Sequence, residues 1–477
     1  MSNSSHSVGV ARMRPNVPKK LNYGRTILLS FAFTIVLLAW SFFNIRVPLL
    51  LYQFFEEGDI AIGFIMAIDN ILAVLVHPFF GALSDRTKSR FGRRVPYIFA
   101  GALISAVLFV FFPYMKVVWG LIVIIFLFDL AMSLYRTASI IIVPDYTSEE
   151  LRAKASGIQQ FIANLGGAIG FAIPMVVSFL GFSEEQLDKI GFPIVAGLML
   201  VFLILFIFII KETPTSKGIL SFSKSELAIN PETFHLTQDK KEEKRMPVLK
   251  TIGNIFNQKD KSMVFTLLFV FFTYLAFGSV ETFFSSFAEF FLGLEPAEYS
   301  IYLIAYSLSM ILTAYFHGVI GQKIGRKRAI KIDMGILLFL LIIMIVFSIP
   351  QARDGTFVYL LINFVLVGIF WMGVIVNTFP VVWALAPEGQ VGSYTGIYYT
   401  FNQLAYTLSP IIVGGILQLF GRYVWPTQTE LRFIILFPYL FLCLMVAFII
   451  LFFIKGGEAN ISKEKVEEYT GKYVQND

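Results

Sequence analysis

Three acidic residues lie inside long apolar runs of the sequence, where a charged side chain is energetically costly. Asp69, Asp129 and Glu281 each fall near the middle third of such a run. An ionisable group at the centre of a bilayer costs roughly 2.5–3.5 kcal/mol on insertion scales, so each acid is a functional candidate. A carboxyl group in a low-dielectric setting resists ionisation and can exchange a proton near neutral pH. We predict that these acids carry protons, with Asp129 as the leading acceptor. Arg46 is a weaker candidate, because it lies near the end of its run and its long side chain can reach the interface.

An arginine, several amides and a tryptophan share these runs. Arg136 follows Asp129 by seven residues, so both lie on one helix face with Ser133 between them. Carboxylates, guanidinium groups and amides can hold the hydroxyl groups of a sugar, while an aromatic ring covers the C–H face of the sugar ring. The candidate binding residues are Asn44, Arg136, Gln160, Asn164, Trp371, Asn377, Asn402 and Gln403.

Structural roles compete with this interpretation for several residues. Asn164 and Gln403 can equally be interhelical hydrogen-bond partners, which are typically worth about 0.6 kcal/mol. Trp371 can be a packing residue. Asp69 and its neighbour Asn70 can form a structural hydrogen-bond pair.

The composition identifies the apolar runs as membrane helices. Of the 477 residues, 57% are hydrophobic and only 15% are charged, whereas a soluble domain carries about 25% charged residues. A helix needs roughly 20 apolar residues to cross the hydrocarbon core of a bilayer. The runs lie at 27–51, 60–84, 96–115, 118–143, 156–180, 192–210, 263–291, 299–321, 330–349, 356–385, 394–419 and 432–454. The sequence therefore predicts an all-α membrane protein with twelve transmembrane helices.

One long polar connection, rich in Lys and Glu, separates six helices from six. We expect a cytoplasmic tail over 1–26, a six-helix bundle over 27–210, a cytoplasmic loop over 211–262, a second bundle over 263–454 and a cytoplasmic tail over 455–477. Basic residues concentrate in alternate loops, and such loops stay in the cytoplasm. We therefore expect a multi-pass protein of the cell membrane, plasma or inner, with both termini inside and no cleavable signal at the N-terminus. The net charge of +6 is explained by this topology and not by nucleic-acid binding.

The cysteine and histidine residues of the sequence give little support for a metal site or a catalytic site. The single cysteine, Cys443, excludes an intrachain disulfide and a Cys-rich metal site. None of the four histidines pairs with another at metal-ligand spacing. We expect no metal, no cofactor and no enzymatic activity.

The two groups of six helices repeat one another. The segment "GALSDRTKSRFGRR" begins at Gly81, and "GVIGQKIGRKR" begins at Gly318, 237 residues later. The segment "ASGIQQFIANLGG" around Gly157 lies 239 residues before "YTGIYYTFNQLAY" around Gly396. A nearly constant offset predicts a duplicated bundle with a substrate site near the bilayer midplane, between the halves.

A glycine followed by two basic residues, repeated after helices 2 and 8, resembles the loop signature of the major facilitator superfamily. The longer spacing in "DNILAVLVHPFFGALSDRTKSRFGRRVPYI" is similar to that of sucrose transporters and related bacterial proteins, near the glycoside–pentoside–hexuronide:cation symporters. Asp129 and Asp145, sixteen residues apart in helix 4, match a second feature of that group. The chain departs from it in two places: Arg136 follows Asp129 by seven residues where those relatives have eleven, and His77 stands where they usually have Gln.

The repeated loops are predicted to gate the molecule. Gly81 and Gly92 would allow tight turns at the helix junction, and Asp85 would pair with Arg93 to latch the halves together. A role in membrane topology alone is the alternative for the arginines. The candidate gating residues are Gly81, Asp85, Arg86, Gly92, Arg93, Arg94, Gly325, Arg326 and Arg328.

The resemblance implies two pseudo-symmetric six-helix halves, with helices 1, 4, 7 and 10 around a central cavity. It would place Asn44, Asp129, Arg136, Glu281 and Asn377 at that cavity. It also implies a monomeric, proton-coupled symporter for sucrose- or maltose-type sugars that works by alternating access. One charge crossing 100 mV releases about 2.3 kcal/mol, and tenfold accumulation requires about 1.4, so one proton suffices.

Two alternatives stay open. Sodium can take the place of the proton, as in the melibiose-type symporters, which carry two acids around an Asp-Pro in helix 2. This chain has "AVLVHP" there, with His77 before Pro78, which favours protons. The other alternative is a non-transporting membrane sensor of the same fold, although such proteins usually carry an added signalling tail.

Overall fold

The computed structural model describes residues 21–55, 58–87, 89, 91–147, 151–209, 253, 255–257, 259–347, 356–387 and 390–457. Within these ranges the chain forms helices and no strands, and twelve helices are long and apolar enough to cross a membrane. The helices are α1 (Tyr23–Tyr52), α2 (Asp59–Arg86), α3 (Val95–Phe111), α4 (Val118–Asp145), α5 (Arg152–Phe179), α6 (Glu184–Ile209), α7 (Ser262–Ser286), α8 (Pro296–Ile324), α9 (Arg326–Phe347), α10 (Thr356–Leu385), α11 (Val391–Tyr423) and α12 (Leu436–Leu451). A π-helical turn, Phe287–Phe291, extends α7, and a 3₁₀ turn, Thr429–Ile435, precedes α12. The predicted fold class of twelve helices is confirmed.

The helix bounds follow the predicted apolar runs closely, with one clear exception. The run predicted α6 to begin at residue 192, but the helix begins at Glu184. Acidic side chains are favourable in a first helical turn, because the N-terminal end of a helix carries a partial positive charge. Because the helix begins at Glu184, Asp188 lies inside α6 and not in the loop where the apolar run placed it. The predicted central loop and the two tails lie largely outside the described residues, so those boundaries stay predictions.

The six helices of each half pack in the same arrangement. In the first half α1 packs against α5 and α6, α3 against α4 and α6, and α2 against α4. The second half repeats each contact, with α7 against α11 and α12, α9 against α10 and α12, and α8 against α10. The halves meet where α2 packs on α11, α5 on α8 and α1 on α7. The predicted pair of pseudo-symmetric six-helix halves is therefore confirmed.

Small residues let the halves approach closely at α2 and α11. A Cβ atom on Gly63 would overlap the backbone oxygen of Pro410, and one on Gly414 would overlap the backbone oxygen of Asp59. Glycine at a helix contact allows this backbone-to-backbone packing in membranes.

The repeated loop motif has the same backbone feature in both halves. Gly92 has a φ of 93° and Gly325 a φ of 96°. L-residues rarely adopt such values, so glycine is required at each turn. Gly81 differs from its prediction, because α2 continues through it to Arg86, and a Cβ atom at this position would lie at an ordinary contact distance, 3.4 Å, from Thr137 Cγ2.

We expect Gly325→Ala to lower the free energy of unfolding by about 1–3 kcal/mol, because alanine is strained at that backbone conformation. The matched control is Gly335→Ala within α9, where a Cβ atom would meet nothing within 4 Å. Alanine in a helix interior is favoured over glycine by roughly 0.5–1 kcal/mol, so the control should not destabilise. Thermal unfolding of the detergent-solubilised variants measures both, and equal melting temperatures would contradict the assignment.

Candidate functional site

A cavity of about 300 Å³ lies between the two halves. Side chains of α1 and α5 from the first half line it, together with side chains of α7 to α12 from the second half. Its position agrees with the duplicated plan, which places a site between the halves.

Glu281 is the acidic residue of the cavity wall and joins the halves there. Its Oε1 accepts hydrogen bonds from Trp40 Nε1 at 3.0 Å and from Asn44 Nδ2 at 2.8 Å. Trp40 and Asn44 lie on α1, whereas Glu281 lies on α7. An ionised carboxylate is a stronger acceptor than a neutral carboxyl group. A proton on Glu281 would therefore weaken this contact between the halves.

Arg136 connects a second acid to the same wall. Its guanidinium carbon lies 4.7 Å from the ring centroid of Trp40, in a cation–π arrangement. Its Nη1 lies 3.8 Å from Asp69 Oδ2. Asp69 on α2, Arg136 on α4, Trp40 on α1 and Glu281 on α7 thus form one connected set of contacts, which we call the charged chain.

Asp129 lies behind the cavity wall, within the first half. Its side chain is buried, and neither carboxyl oxygen has a hydrogen-bond partner among the described residues. Asp69 and Arg136 are the charged groups that act on it. A buried carboxylate without donors is costly, whereas a protonated carboxyl group is much less so. The expectation that Asp129 lines the cavity was wrong for this conformation, because α4 turns this face toward α2.

The predicted binding amides and Trp371 divide into two groups. Asn44, Asn164 and Trp371 line the cavity. Trp371 also stacks on Phe277, with ring centroids 4.7 Å apart.

Three other predicted amides lie away from the cavity wall. Gln160 is exposed and donates to Asn164 Oδ1 at 3.1 Å. Asn402 is hydrogen-bonded to Tyr274, and Gln403 Nε2 lies 3.5 Å from Asn70 Oδ1. Asn402 and Gln403 therefore contact neighbouring helices, whereas the hydrogen bond of Gln160 stays within α5.

Asn377 was predicted at the cavity and lies elsewhere. Its Oδ1 accepts from Arg326 Nη1 at 2.8 Å, and its Nδ2 donates to Gly373 O at 2.9 Å. Asn377 lies six residues beyond Trp371, roughly 9 Å further along α10. It anchors the second loop motif and does not line the cavity.

The first loop motif also binds within its own half. Arg93 Nη2 and Arg94 Nε lie 2.9 and 3.0 Å from Asp145 Oδ2, so the motif ties the start of α3 to the end of α4. The structure does not describe the side chain of Asp85, so the predicted pairing of Asp85 with Arg93 stays a prediction. Arg86 and Arg328 are exposed. We call the side of the bundle that carries these arginines the basic face.

Two buried charge clusters at the opposite face were not predicted. Arg46 is only 4% exposed and binds Asp188 through Nε at 2.7 Å and through Nη2 at 3.1 Å. Its Nη1 donates to Tyr299 OH at 2.9 Å and lies 3.6 Å from Glu289 Oε2. Asp188 belongs to the first half, whereas Tyr299 and Glu289 belong to the second. Arg46 therefore holds the halves together and does not reach the interface as expected.

The second cluster joins the start of α2 to the turn before α12. Arg432 Nε lies 2.9 Å from Asp59 Oδ2, and Tyr52 OH donates to Asp59. Asp59 and Arg432 are both buried. The available sequence signal was a charge next to or inside an apolar run, but its partner on a distant helix could not be read from the sequence.

A buried pair in the second half lies apart from the cavity wall. His317 Nδ1 on α8 lies 3.4 Å from Asp333 Oδ2 on α9. Gly373 on α10 leaves the space that both side chains occupy.

The family model of the major facilitator superfamily matches residues 29–410 and 266–472. A curated relative, the uncharacterized symporter YnaJ of Bacillus subtilis (strain 168), is 28% identical over 176 residues. That alignment spans 35% of this chain and 37% of the relative.

Solved transporter structures share the fold at low sequence identity. A bacterial homolog of the human lysosomal transporter Spinster, inward-facing and occupied, has a TM-score of 0.68 at 13% identity, over 91% of this chain and 97% of the other. A mutant of the nucleoside transporter NupG has a TM-score of 0.64 at 14% identity, over 89% and 99%. These relatives are transporters and not enzymes. The family match, the twelve helices and the duplicated halves together establish that this chain belongs to the major facilitator superfamily.

Proposed function

We propose that this protein is a proton-coupled sugar symporter that works by alternating access. The observation that carries the proposal is the charged chain, because it connects the buried acid Asp69 of α2, through Arg136 of α4, to a hydrogen-bonding wall at the cavity. The similarity to the symporter YnaJ supports symport. The loop spacing and the helix-4 acids, similar to those of sucrose transporters, support a sugar.

Protonation would act through Arg136. When Asp69 and Asp129 are ionised, their negative charges attract the guanidinium group of Arg136, which lies near Asp69 and beside the Trp40 ring. Protonation of either acid weakens that attraction. The guanidinium group of Arg136, and the Trp40 and Glu281 side chains that now bind each other, would then be free to bind a sugar hydroxyl. Substrate and proton would therefore bind together.

The positive-inside rule supports an orientation with the basic face in the cytoplasm of the cell membrane. The Arg46 and Asp59 clusters then lie on the outside and close the cavity there. Opening toward the outside requires both clusters to separate. Binding energy from substrate and proton would supply part of that cost.

Sodium coupling and a non-transporting sensor remain the alternatives. Neither has a specific structural observation in its favour.

The experiment that distinguishes all three is uptake of labelled sugars into proteoliposomes under an imposed pH gradient, with a sodium gradient as the control. We expect accumulation with the pH gradient only.

Asp129→Asn should abolish gradient-driven accumulation while exchange of sugar between equal pools survives. An asparagine mimics a permanently protonated carboxyl, so the loaded carrier still changes sides but releases no proton. Asp333→Asn, another buried acid remote from the charged chain, is the matched control and should keep coupling. Concentrative uptake by Asp129→Asn would move the proton to Asp69 or Glu281.

Cysteine labelling tests the cavity wall with two asparagines. On a Cys443→Ala background, Asn164→Cys should react with a hydrophilic thiol reagent, and a transported sugar should protect it, because Asn164 lines the cavity. Asn377→Cys should stay unreactive, because Asn377 is fully buried. Similar labelling of the two positions would remove Asn164 from the site.

The outer ion pair is tested by charge reversal. Arg432→Asp places two acids together, and breaking a buried pair typically costs about 3–5 kcal/mol. We expect sugar uptake to fall at least tenfold. The double variant Asp59→Arg with Arg432→Asp should recover a measurable part of the rate. If the double variant is no better than the single one, the direct pair is not what closes the outer side.

A further inference from the structure

A buried acid and a buried histidine face each other in the second half, away from the cavity wall. His317 is 7% exposed and Asp333 is 4% exposed. Nδ1 of the histidine lies 3.4 Å from Oδ2 of the acid. That carboxyl oxygen is buried and has no hydrogen-bond partner among the described residues. Neither residue belongs to the cavity wall, so the proposed transport cycle gives this pair no role.

The pair joins the two helices of the second loop motif. α8 ends at Ile324, Gly325 makes the turn, and α9 begins at Arg326. His317 lies eight residues before Gly325 and Asp333 lies eight residues after it, so each is about 12 Å from the turn along its helix. We call α8, the turn and α9 the second hairpin. The pair closes this hairpin within the bundle, at equal depth on both helices.

α10 packs directly against the pair. Asn377, which is bound by Arg326, donates from Nδ2 to His317 O at 3.3 Å. Gly373 lies one turn before Asn377, and a Cβ atom there would overlap both Asp333 Oδ2 and His317 Nδ1. The absence of a side chain at Gly373 therefore provides the space in which the two groups meet.

The first half holds its corresponding hairpin without a histidine. The arginines of the first loop motif bind Asp145 at 2.9 and 3.0 Å, and both kinds of group stay charged throughout the physiological pH range. The duplication aligns the buried pair of the second half with Phe80 and Ala100, which cannot bind a proton. Histidine is the side chain that ordinarily changes its charge between pH 5 and 8. The second hairpin is therefore the one whose closure can depend on pH.

Few other charges lie on the helices packed around the pair. No Asp, Glu, Lys or Arg occurs in α10 or α12, and α5 carries Arg152 and Lys154 only in its first turn. On α8, Glu298 and Lys323 lie near the two ends. The other titratable side chains of α8, α10 and α12 are tyrosines and Cys443. α9 carries four basic residues between the turn and Asp333, which are Arg326, Lys327, Arg328 and Lys331.

A proton decides whether the two groups attract each other. When the imidazole of His317 is neutral, the carboxylate of Asp333 is a buried charge without an opposite charge beside it, which is costly. When the imidazole carries a proton, the two groups form a buried ion pair, and such a pair is expensive to break. Lower pH therefore favours the closed second hairpin, and rising pH removes that attraction.

We propose that His317 and Asp333 form a second proton-binding site, which closes the second hairpin when occupied and releases it as the pH at the basic face rises. The proton bound there is not the coupled one, because both residues belong to one half and lie off the cavity wall. The site itself needs no substrate, whereas its effect on transport rests on the proposed function.

Thermal unfolding of the purified, detergent-solubilised protein tests the site without any substrate. The melting temperatures of wild type and His317→Gln are compared at pH 6 and at pH 8. At pH 6 we expect the variant to melt at least about 3 °C lower, because it cannot form the ion pair. At pH 8 the wild-type pair has lost its proton, so the two proteins should melt within about 1 °C of each other.

Asp333→Asn provides a second variant. It should also melt at a lower temperature than wild type at pH 6, whereas at pH 8 it should be at least as stable, because the substitution removes the buried charge as well. His77→Gln is the matched control, since Nε2 of His77 has no hydrogen-bond partner among the described residues. The difference between this control and wild type should be the same at both pH values.

Exchange of sugar between equal pools, with the same pH on both sides of the proteoliposome membrane, tests the effect on transport. The Asp129→Asn background is used, because it removes the coupled proton. There we expect the exchange rate to fall at least about threefold from pH 6 to pH 8, since an open second hairpin disturbs the rigid-body motion of its half. Asp129→Asn combined with His317→Gln should exchange slowly at both pH values. Asp333→Asn alone should lose this pH response and still accumulate sugar against a gradient.

The two assays separate the site from the proposed function. If His317→Gln destabilises the protein equally at pH 6 and pH 8, the proton-binding site is overturned and sugar transport is left standing. If the destabilisation depends on pH but wild type transports no sugar, the site is supported and the proposed function fails. Exchange that does not change with pH, in a protein whose stability difference does, would overturn the effect of the site on transport.

Discussion

A charge within hydrocarbon needs a partner inside the protein, and this constraint decides where the two halves meet. Glu281 is bound by Trp40 and Asn44 across the central cavity. Arg46 and Asp59 are bound across the opposite face by residues of the second half. An ion pair of this kind is expensive to break one partner at a time. In the proposed alternating-access cycle, these same contacts are the ones that would have to separate.

The two halves share their helix packing because of the duplication, but they differ in their buried charged residues. Equivalent helices pack alike in both halves, and both loop motifs turn at a glycine with positive φ. The buried acids Asp69 and Asp129 belong to the first half, whereas most of the cavity wall belongs to the second. The proposed function places proton binding in the first half and most of the substrate contacts in the second, with Arg136 and Trp40 between them. In that proposal, relative motion of the halves would couple the two events.

The cavity also shows why hydrophobic side chains cannot be treated as uniform filling. Four phenylalanine rings pack together in the interior of the first half, whereas the cavity in the second half is lined by both phenylalanine rings and aliphatic side chains. Protein interiors are normally close-packed, so a space beside a polar wall is a candidate binding site.

The sequence by itself determined the twelve helices, the duplication and the glycine turn at Gly92. These features follow from hydropathy over about 20 residues and from local backbone preference, which need no knowledge of distant contacts. Of the residues that the sequence proposed for substrate binding or proton coupling, Asn44, Asn164, Trp371 and Glu281 line the cavity. Only the tertiary structure decided which face of each helix turns inward. A polar residue in an apolar run can point to a cavity, to a neighbouring helix or to a loop anchor, and its rotation about the helix axis is set by packing with all neighbours. For that reason Asn377 anchors Arg326, Asp129 lies behind the wall, and the partners of Arg46 come from three different helical segments.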